Sequence, residues 1–141
     1  MAVEDRGGRV AAAVAGIVTL AVLIGSATAM TVLENGSATT NPVATIQVVG
    51  ETYKIELATP ELVAHAEALL AGEEVAGIPL GRVVRDDPSV NAPWSWHIDP
   101  TTLEWADVTI EVCDGLPSYV EDGTVTSPDY CPWSAKVIAI D

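Results

Sequence analysis

The chain has 141 residues and carries 20 Asp and Glu against 6 Lys and Arg, a formal net charge of -14. This length is typical of one domain. So few cations cannot neutralise a run of phosphates, and the composition therefore predicts no nucleic-acid partner and disfavours direct binding to an anionic membrane surface. The acidity indicates a soluble surface that could attract basic partners.

The N-terminal segment is the first predicted element. A weakly basic start, an apolar stretch over 10–25 and small residues at 27–29 match a secretory signal peptide. We therefore predict a signal peptide over residues 1–29, cleaved before Met30. Apolar character continues to Leu33, so an uncleaved membrane anchor reaching about that residue is the alternative. Both predict a secreted or extracytoplasmic protein, which in the second case stays anchored by this segment.

A flexible linker is predicted over residues 30–42, because Glu34 to Pro42 has no hydrophobic period and consists of turn-forming residues. Its Asn-Gly-Ser triplet at 35–37 matches a glycosylation acceptor, but such triplets are common, and we interpret it as linker. A single globular domain is predicted over 43–141.

The domain is predicted to begin with a hairpin. Val43–Val49 and Thr52–Leu57 are β-branched, partly alternating segments on either side of Gly50-Glu51, which favours a hairpin closed at the glycine. Tyr53 and Leu57 are expected on its buried face.

One helix is predicted over residues 60–71. Thr59 can cap its first turn, Pro60 suits its first position, and Gly72 suits the left-handed residue that ends a helix.

Four further strands are predicted, at 78–84, 94–98, 106–113 and 135–140. The third is the clearest, because Val108, Ile110 and Val112 recur at every second position and are expected to face the core. Six strands with one helix indicate an α+β domain with a mainly antiparallel sheet, since no repeated crossover helices are present to build a parallel one. A small β-sandwich with the helix at one edge is the alternative.

Cys113 and Cys131 are the two cysteines of the chain. In an exported protein they are expected to form a disulfide, which for a loop of this size typically contributes about 3 kcal/mol. Two free thiols are the alternative. A zinc site that adds His65 and His97 needs the same thiols and lacks the usual close ligand spacing, so no metal site is predicted.

The most distinctive run is NAPWSWHIDP at 91–100. Trp94 and Trp96 on one strand face, beside His97 and Asp99, suggest an aromatic ligand platform with a polar edge. The alternative is that both tryptophans fill the core of a domain that has no phenylalanine. A catalytic triad of Ser95 with His97 and Asp99 is disfavoured, because triads converge from separate segments.

Asp86 and Asp87 follow the strand at 78–84 and could offer oxygen ligands to calcium, together with Asp99. No calcium-loop motif is present, so a solvated loop is the simpler interpretation. We predict no cofactor.

Three runs carry a family resemblance: NAPWSWHIDP at 91–100, WADVTIEVCDG at 105–115 and YCPWSAKV at 130–137. Together with VVGETYKIELATPEL at 48–62, they resemble the sequence blocks of a largely uncharacterised family of small exported domains. The resemblance implies a secreted unit with this pair of cysteines, and it transfers no catalytic role.

We predict a non-catalytic extracellular or cell-surface binding module for a protein or glycan, using the loop from Asp86 to Pro93 and the disulfide loop. Two other hypotheses remain. One is a peptidase inhibitor that presents the 114–130 loop as a rigid extended segment. The other is a hydrolase that uses His97.

Overall fold

The computed structural model describes residues 40–141. The predicted signal peptide at 1–29, its alternative as an anchor to about residue 33, and the linker before Thr40 lie outside the described residues. Within 40–141, no helix has the length and apolar character needed to cross a membrane.

The described part of the chain forms a small α+β domain with seven strands, two α-helices and antiparallel sheets. In chain order the elements are β1 (Val43–Val48), β2 (Glu51–Glu56), α1 (Pro60–Leu70), β3 (Ile78–Arg85), β4 (Trp96–Ile98), β5 (Glu104–Ala106), α2 (Pro117–Glu121), β6 (Asp129–Tyr130) and β7 (Ala135–Ile140). One sheet has the order β2-β1-β7, and in the other β3 pairs with β4, β5 and β6. The predicted fold class and antiparallel pairing are confirmed.

The predicted hairpin is present as β1 and β2, and alternate residues of both strands form one part of the core. Its turn lies at Val49-Gly50, one residue earlier than predicted. Val49 has a φ of 58°, an unusual conformation for a β-branched residue, and its side chain is exposed. The residues buried from this hairpin are Ala44, Ile46, Val48, Tyr53, Ile55 and Leu57.

Helix α1 begins and ends through local chemistry, as predicted. The Thr59 hydroxyl accepts a hydrogen bond from the Leu62 N–H at 3.3 Å, and Pro60 occupies the first turn. At the other end, Gly72 adopts a φ of 85°, and its N–H donates to the Leu69 carbonyl at 3.0 Å. The Glu73 N–H donates to the Ala68 carbonyl at 3.0 Å, which completes a Schellman motif.

The second sheet is assembled on β3, which pairs along its length with three short strands. Gly81 lies near the middle of β3 and is buried. A side chain there would overlap the Ile98 side chain, and Thr102 and Leu103 would lie 3.5 and 3.6 Å away. The absence of a Cβ therefore lets β3 lie close to the segment around β4.

The strand predicted over 106–113 is wrong. β5 ends at Ala106, which pairs with Ile78, the first residue of β3, so no partner strand continues beside residues 107–112. Residues 111–113 form a turn of 3₁₀-helix instead. The strand at 94–98 is also shorter than predicted, since β4 begins at Trp96.

The disulfide between Cys113 and Cys131 is present, with the two Cα atoms 5.0 Å apart. The loop that it closes is folded rather than extended, which corrects the predicted geometry of an inhibitory loop. Residues Pro117 and Val120 of α2 are buried, as is Val125 after it, because they contribute to the core. The sequence analysis missed α2 and predicted one helix only.

Candidate protein-binding surface

The NAPWSWHIDP run joins the two sheets. Asn91 is 1% exposed. Its side-chain oxygen accepts a hydrogen bond from the Lys54 N–H of β2 at 2.7 Å, and its amide nitrogen donates to the Trp96 carbonyl of β4 at 2.8 Å. One buried side chain thus satisfies backbone groups from both sheets, which buried polar groups require.

The two tryptophans of this run have different positions, and they do not form the predicted exposed platform. Trp96 is 1% exposed and packs against the rings of Tyr53 and Tyr130, with centroids 5.6 and 5.5 Å away. Trp94 is half-buried, and its indole N–H donates to the Thr52 carbonyl at the edge of β2 at 2.8 Å. Trp96 therefore fills the core, and Trp94 covers a strand edge.

Burial also changes the acidity of the two tyrosines around Trp96. Desolvation raises the pKa of Tyr53 far above its usual range, because the phenolate is disfavoured in the core. The pKa of Tyr130 is raised in the same way, and its hydroxyl donates to the Gly115 carbonyl at 2.9 Å. Both rings therefore remain neutral and serve packing.

His97 and its acidic neighbours form local hydrogen bonds instead of a shared site. The His97 Nδ1 donates to the Asp87 carbonyl at 2.7 Å and lies 3.9 Å from an Asp87 carboxylate oxygen. The Asp99 carboxylate accepts from the Thr101 hydroxyl at 2.7 Å and the Thr101 N–H at 2.9 Å, and these bonds lower its pKa. Each carboxylate organises its own turn.

The predicted triad is not assembled. The Ser95 hydroxyl donates to a Glu121 carboxylate oxygen at 3.0 Å, whereas Asp99 is bonded to Thr101. The hydroxyl is therefore committed to a carboxylate outside the predicted triad and is not arranged as a nucleophile beside its base.

Metal binding finds no support in the described residues. Asp86 and Asp87 lie in the exposed turn after β3, where an Asp87 carboxylate oxygen accepts the Ser89 N–H at 3.0 Å. Residues 40–141 contain no group of three His, Cys, Asp or Glu side chains placed to hold a metal ion. The disulfide also occupies the thiols that a zinc site would need.

His65 lies on α1 and packs face to face with Trp105 of β5, with centroids 5.4 Å apart and ring planes at 8°. Its Nε2 donates to the Ala76 carbonyl at 2.7 Å. A groove of about 580 Å³ borders this stack. His65 therefore has the packing role that the sequence favoured.

The segment at 107–112 is the unexpected feature of the surface. Val108, Ile110 and Val112, which the alternation assigned to the core, are 83%, 67% and 64% exposed. Trp133, on the other side of the disulfide, is 48% exposed. We call the surface formed by these four residues the apolar ledge.

The apolar ledge is held at several points. β5 directly precedes it, and the disulfide fixes Cys113 directly after it. The Trp133 indole N–H donates to the Thr109 hydroxyl at 2.6 Å, and the Trp133 backbone N–H donates to an Asp114 carboxylate oxygen at 2.8 Å. The exposed side chains are therefore presented from a braced backbone.

Two grooves border the apolar ledge. One, of about 270 Å³, is lined by Ile78, Asp107, Val108, Thr109 and Trp133. The other, of about 240 Å³, is lined by Leu80, Val108, Thr109, Ile110, Cys113, Ser127 and Asp129. The sequence signal for this surface was the alternation at 106–113 itself, which indicated an apolar strand face but not what covers it.

A protein-family model described as the BP-74 N-terminal domain matches residues 39–141. The match spans every element of the described domain, from β1 to β7. Comparison with the curated proteins and with the solved structures finds no match. The chain therefore belongs to the BP-74 N-terminal domain family.

Proposed function

We propose that this domain is a non-catalytic protein-binding module that works outside the cytoplasm, and that the apolar ledge is its binding surface. The observation that carries the proposal is the exposure of Val108, Ile110 and Val112 beside Trp133. Single exposed hydrophobic residues are common, but contiguous ones mark interaction sites. Their apolar character favours a protein partner over a glycan.

The bracing of the apolar ledge supports binding by a preformed surface. A segment tied by the disulfide and by the bond between Trp133 and Thr109 loses little conformational freedom when a partner docks. Association then costs less entropy than it would for a flexible loop. Trp133 is also a residue type that often dominates binding energy at protein interfaces.

The extracytoplasmic location is supported by the disulfide, because such bonds persist in oxidising compartments and are rare in the cytosol. The signal-peptide pattern at 1–29 points in the same direction. Intact mass of the protein purified from its source tests both: we expect a chain that begins at Met30, or the full chain in the membrane fraction, with both cysteines oxidised. A full-length cytosolic protein with free thiols would contradict this location.

The binding function is tested by site-specific photocrosslinking. A photoreactive amino acid at position 110 should trap a protein partner in the source organism, whereas the same group at the exposed Ile138 of β7 should not. The trapped protein is identified by mass spectrometry, purified, and titrated calorimetrically with the full chain. Because burial of a valine or isoleucine contributes about 1.5–3 kcal/mol, Ile110→Asp should weaken binding at least about tenfold.

Val49→Asp is the matched control. Val49 is exposed in the hairpin turn, so the substitution adds the same charge outside the apolar ledge, and aspartate tolerates a positive φ better than valine. It should leave the dissociation constant within about twofold, as expected for an exposed site that makes no contact with the partner. Equal binding by wild type and Ile110→Asp would reject the apolar ledge as the binding surface.

A further inference from the structure

We infer that the apolar ledge binds an extended partner segment in which apolar and cationic residues alternate, and that this segment adds as a strand alongside residues 107–112. The inference rests on the proposed function and specifies its ligand. It is carried by three separate observations: free backbone groups, flanking grooves and the sign of the local charge.

The backbone of the apolar ledge is available for pairing. Within residues 40–141, the N–H and carbonyl groups of Val108 and Thr109 make no backbone hydrogen bond, although β5 directly before them is paired with β3. Ile110 has extended dihedral angles, with φ of -90° and ψ of 152°. A partly extended segment with unpaired backbone groups is a template for an added strand.

The grooves provide space for the partner's side chains. They lie next to Val108, and their volumes of about 270 and 240 Å³ suit single side chains rather than a whole ligand. Alternate residues of an added strand point to opposite faces. An apolar residue could therefore pack on the apolar ledge while its neighbours project toward the carboxylates at its border.

The charge around the apolar ledge is negative. Asp107 and Glu111 lie on the segment and are polar groups beside the exposed valines, and Asp129 lines one groove. Arg82, which is opposite Asp129 in the β3–β6 pair, lines neither groove. Two copies of a chain with a net charge of -14 repel each other, so a cationic partner fits this surface better than a second copy.

The test uses an acetylated, amidated octapeptide of alternating lysine and valine, titrated into the full chain at about 150 mM salt, where long-range attraction is screened. We expect saturable binding and new hydrogen-exchange protection on alternate amides of residues 107–112. A peptide of alternating glutamate and valine should bind at least tenfold more weakly. A peptide with four lysines followed by four valines has the same charge and composition, so it should also bind at least tenfold more weakly if alternation matters.

Backbone methylation separates strand addition from side-chain attraction. One peptide carries N-methyl groups on all valines and another on all lysines, so that each loses the N–H donors of one edge. At least one of them should bind tenfold or more weakly. If both bind as tightly as the parent peptide, strand addition is rejected.

Substitutions in the protein complete the test. Ile110→Asp adds negative charge, which by electrostatics alone would strengthen binding of the lysine peptide. We expect at least tenfold weaker binding, because the apolar contact is lost, and no more than a twofold change for Val49→Asp. Unchanged or tighter binding by Ile110→Asp would overturn the inference.

Two outcomes identify other occupants. Protection of residues 107–112 in the free protein, with a monomer by sedimentation, would assign the apolar ledge to another segment of the same chain and overturn the inference. A dimer that Ile110→Asp dissociates would assign it to a second copy, with the same consequence. If the crosslinked partner requires Ile110 but the alternating peptides do not bind, the proposed function stands and this inference fails; if neither requires Ile110, both fail.

Discussion

The run at 91–100 and the segment at 107–112 exchange the roles that their sequences suggest. The first contains two tryptophans, a histidine and an aspartate, yet its Trp96 and Asn91 are each 1% exposed and connect the two sheets. The second has the alternation of a core strand, yet its Val108 is 83% exposed. Unusual composition indicated packing here, and an ordinary strand pattern indicated a surface available to a partner.

The largest expected effect in this comparison is that of Trp96→Ala. Truncation removes the ring that packs against Tyr53 and Tyr130 and leaves a cavity, so the free energy of unfolding should fall by about 3–5 kcal/mol. Urea denaturation followed by circular dichroism measures the change. A loss below about 1 kcal/mol, far under the range for a buried tryptophan, would show that the NAPWSWHIDP run does not anchor the core.

Asn91→Ala should follow in size. The substitution leaves the Lys54 N–H and the Trp96 carbonyl without their partner in a buried region, which should cost about 2–4 kcal/mol in the free energy of unfolding. Asn41→Ala is the control, because Asn41 makes one exposed bond to Glu56 and should change stability by less than about 0.5 kcal/mol. Similar losses for both variants would refute a special role for the buried amide.

Gly81→Ala tests the close approach of β3 to the segment around β4. The added methyl group would overlap the Ile98 side chain, and we expect a loss of about 1–3 kcal/mol on thermal or urea unfolding. Gly50→Ala is matched to it, since nothing lies within 4 Å of a methyl group at that position. The interpretation fails if the two alanine variants are equally stable.

The smallest effect on stability is expected on the apolar ledge. Val108→Asp and Ile110→Asp change exposed side chains, so each should alter the free energy of unfolding by no more than about 0.5 kcal/mol. Their effect should appear in partner binding instead. A loss of about 2 kcal/mol or more in the same urea denaturation would mean that these residues stabilise the domain and would remove the contrast between the two regions.

Several features could be predicted from the sequence because their causes are local. The start of α1 depends on Thr59 and Pro60, and its end on Gly72, all within a few residues of the helix. The disulfide was predictable because two cysteines in the chain allow one intrachain pair. The α+β class followed from the number and spacing of the alternating segments.

The candidate surface could not be predicted in the same way. Alternation at Val108, Ile110 and Val112 establishes two faces of an extended segment, but not whether a partner strand or a core lies against either face. That depends on where β3 begins, since Ile78 is its first residue and pairs with the last residue of β5. The position of Asn91 between two sheets likewise depends on contacts with residues 37 positions away.

The sequence by itself determined the elements whose signals lie within one turn or one hairpin, together with the acidic charge and the cysteine pair. Only the tertiary structure decided which apolar residues are buried, because burial depends on segments distant in the chain meeting in space. For this protein that decision placed Trp96 in the core and the apolar ledge in solvent.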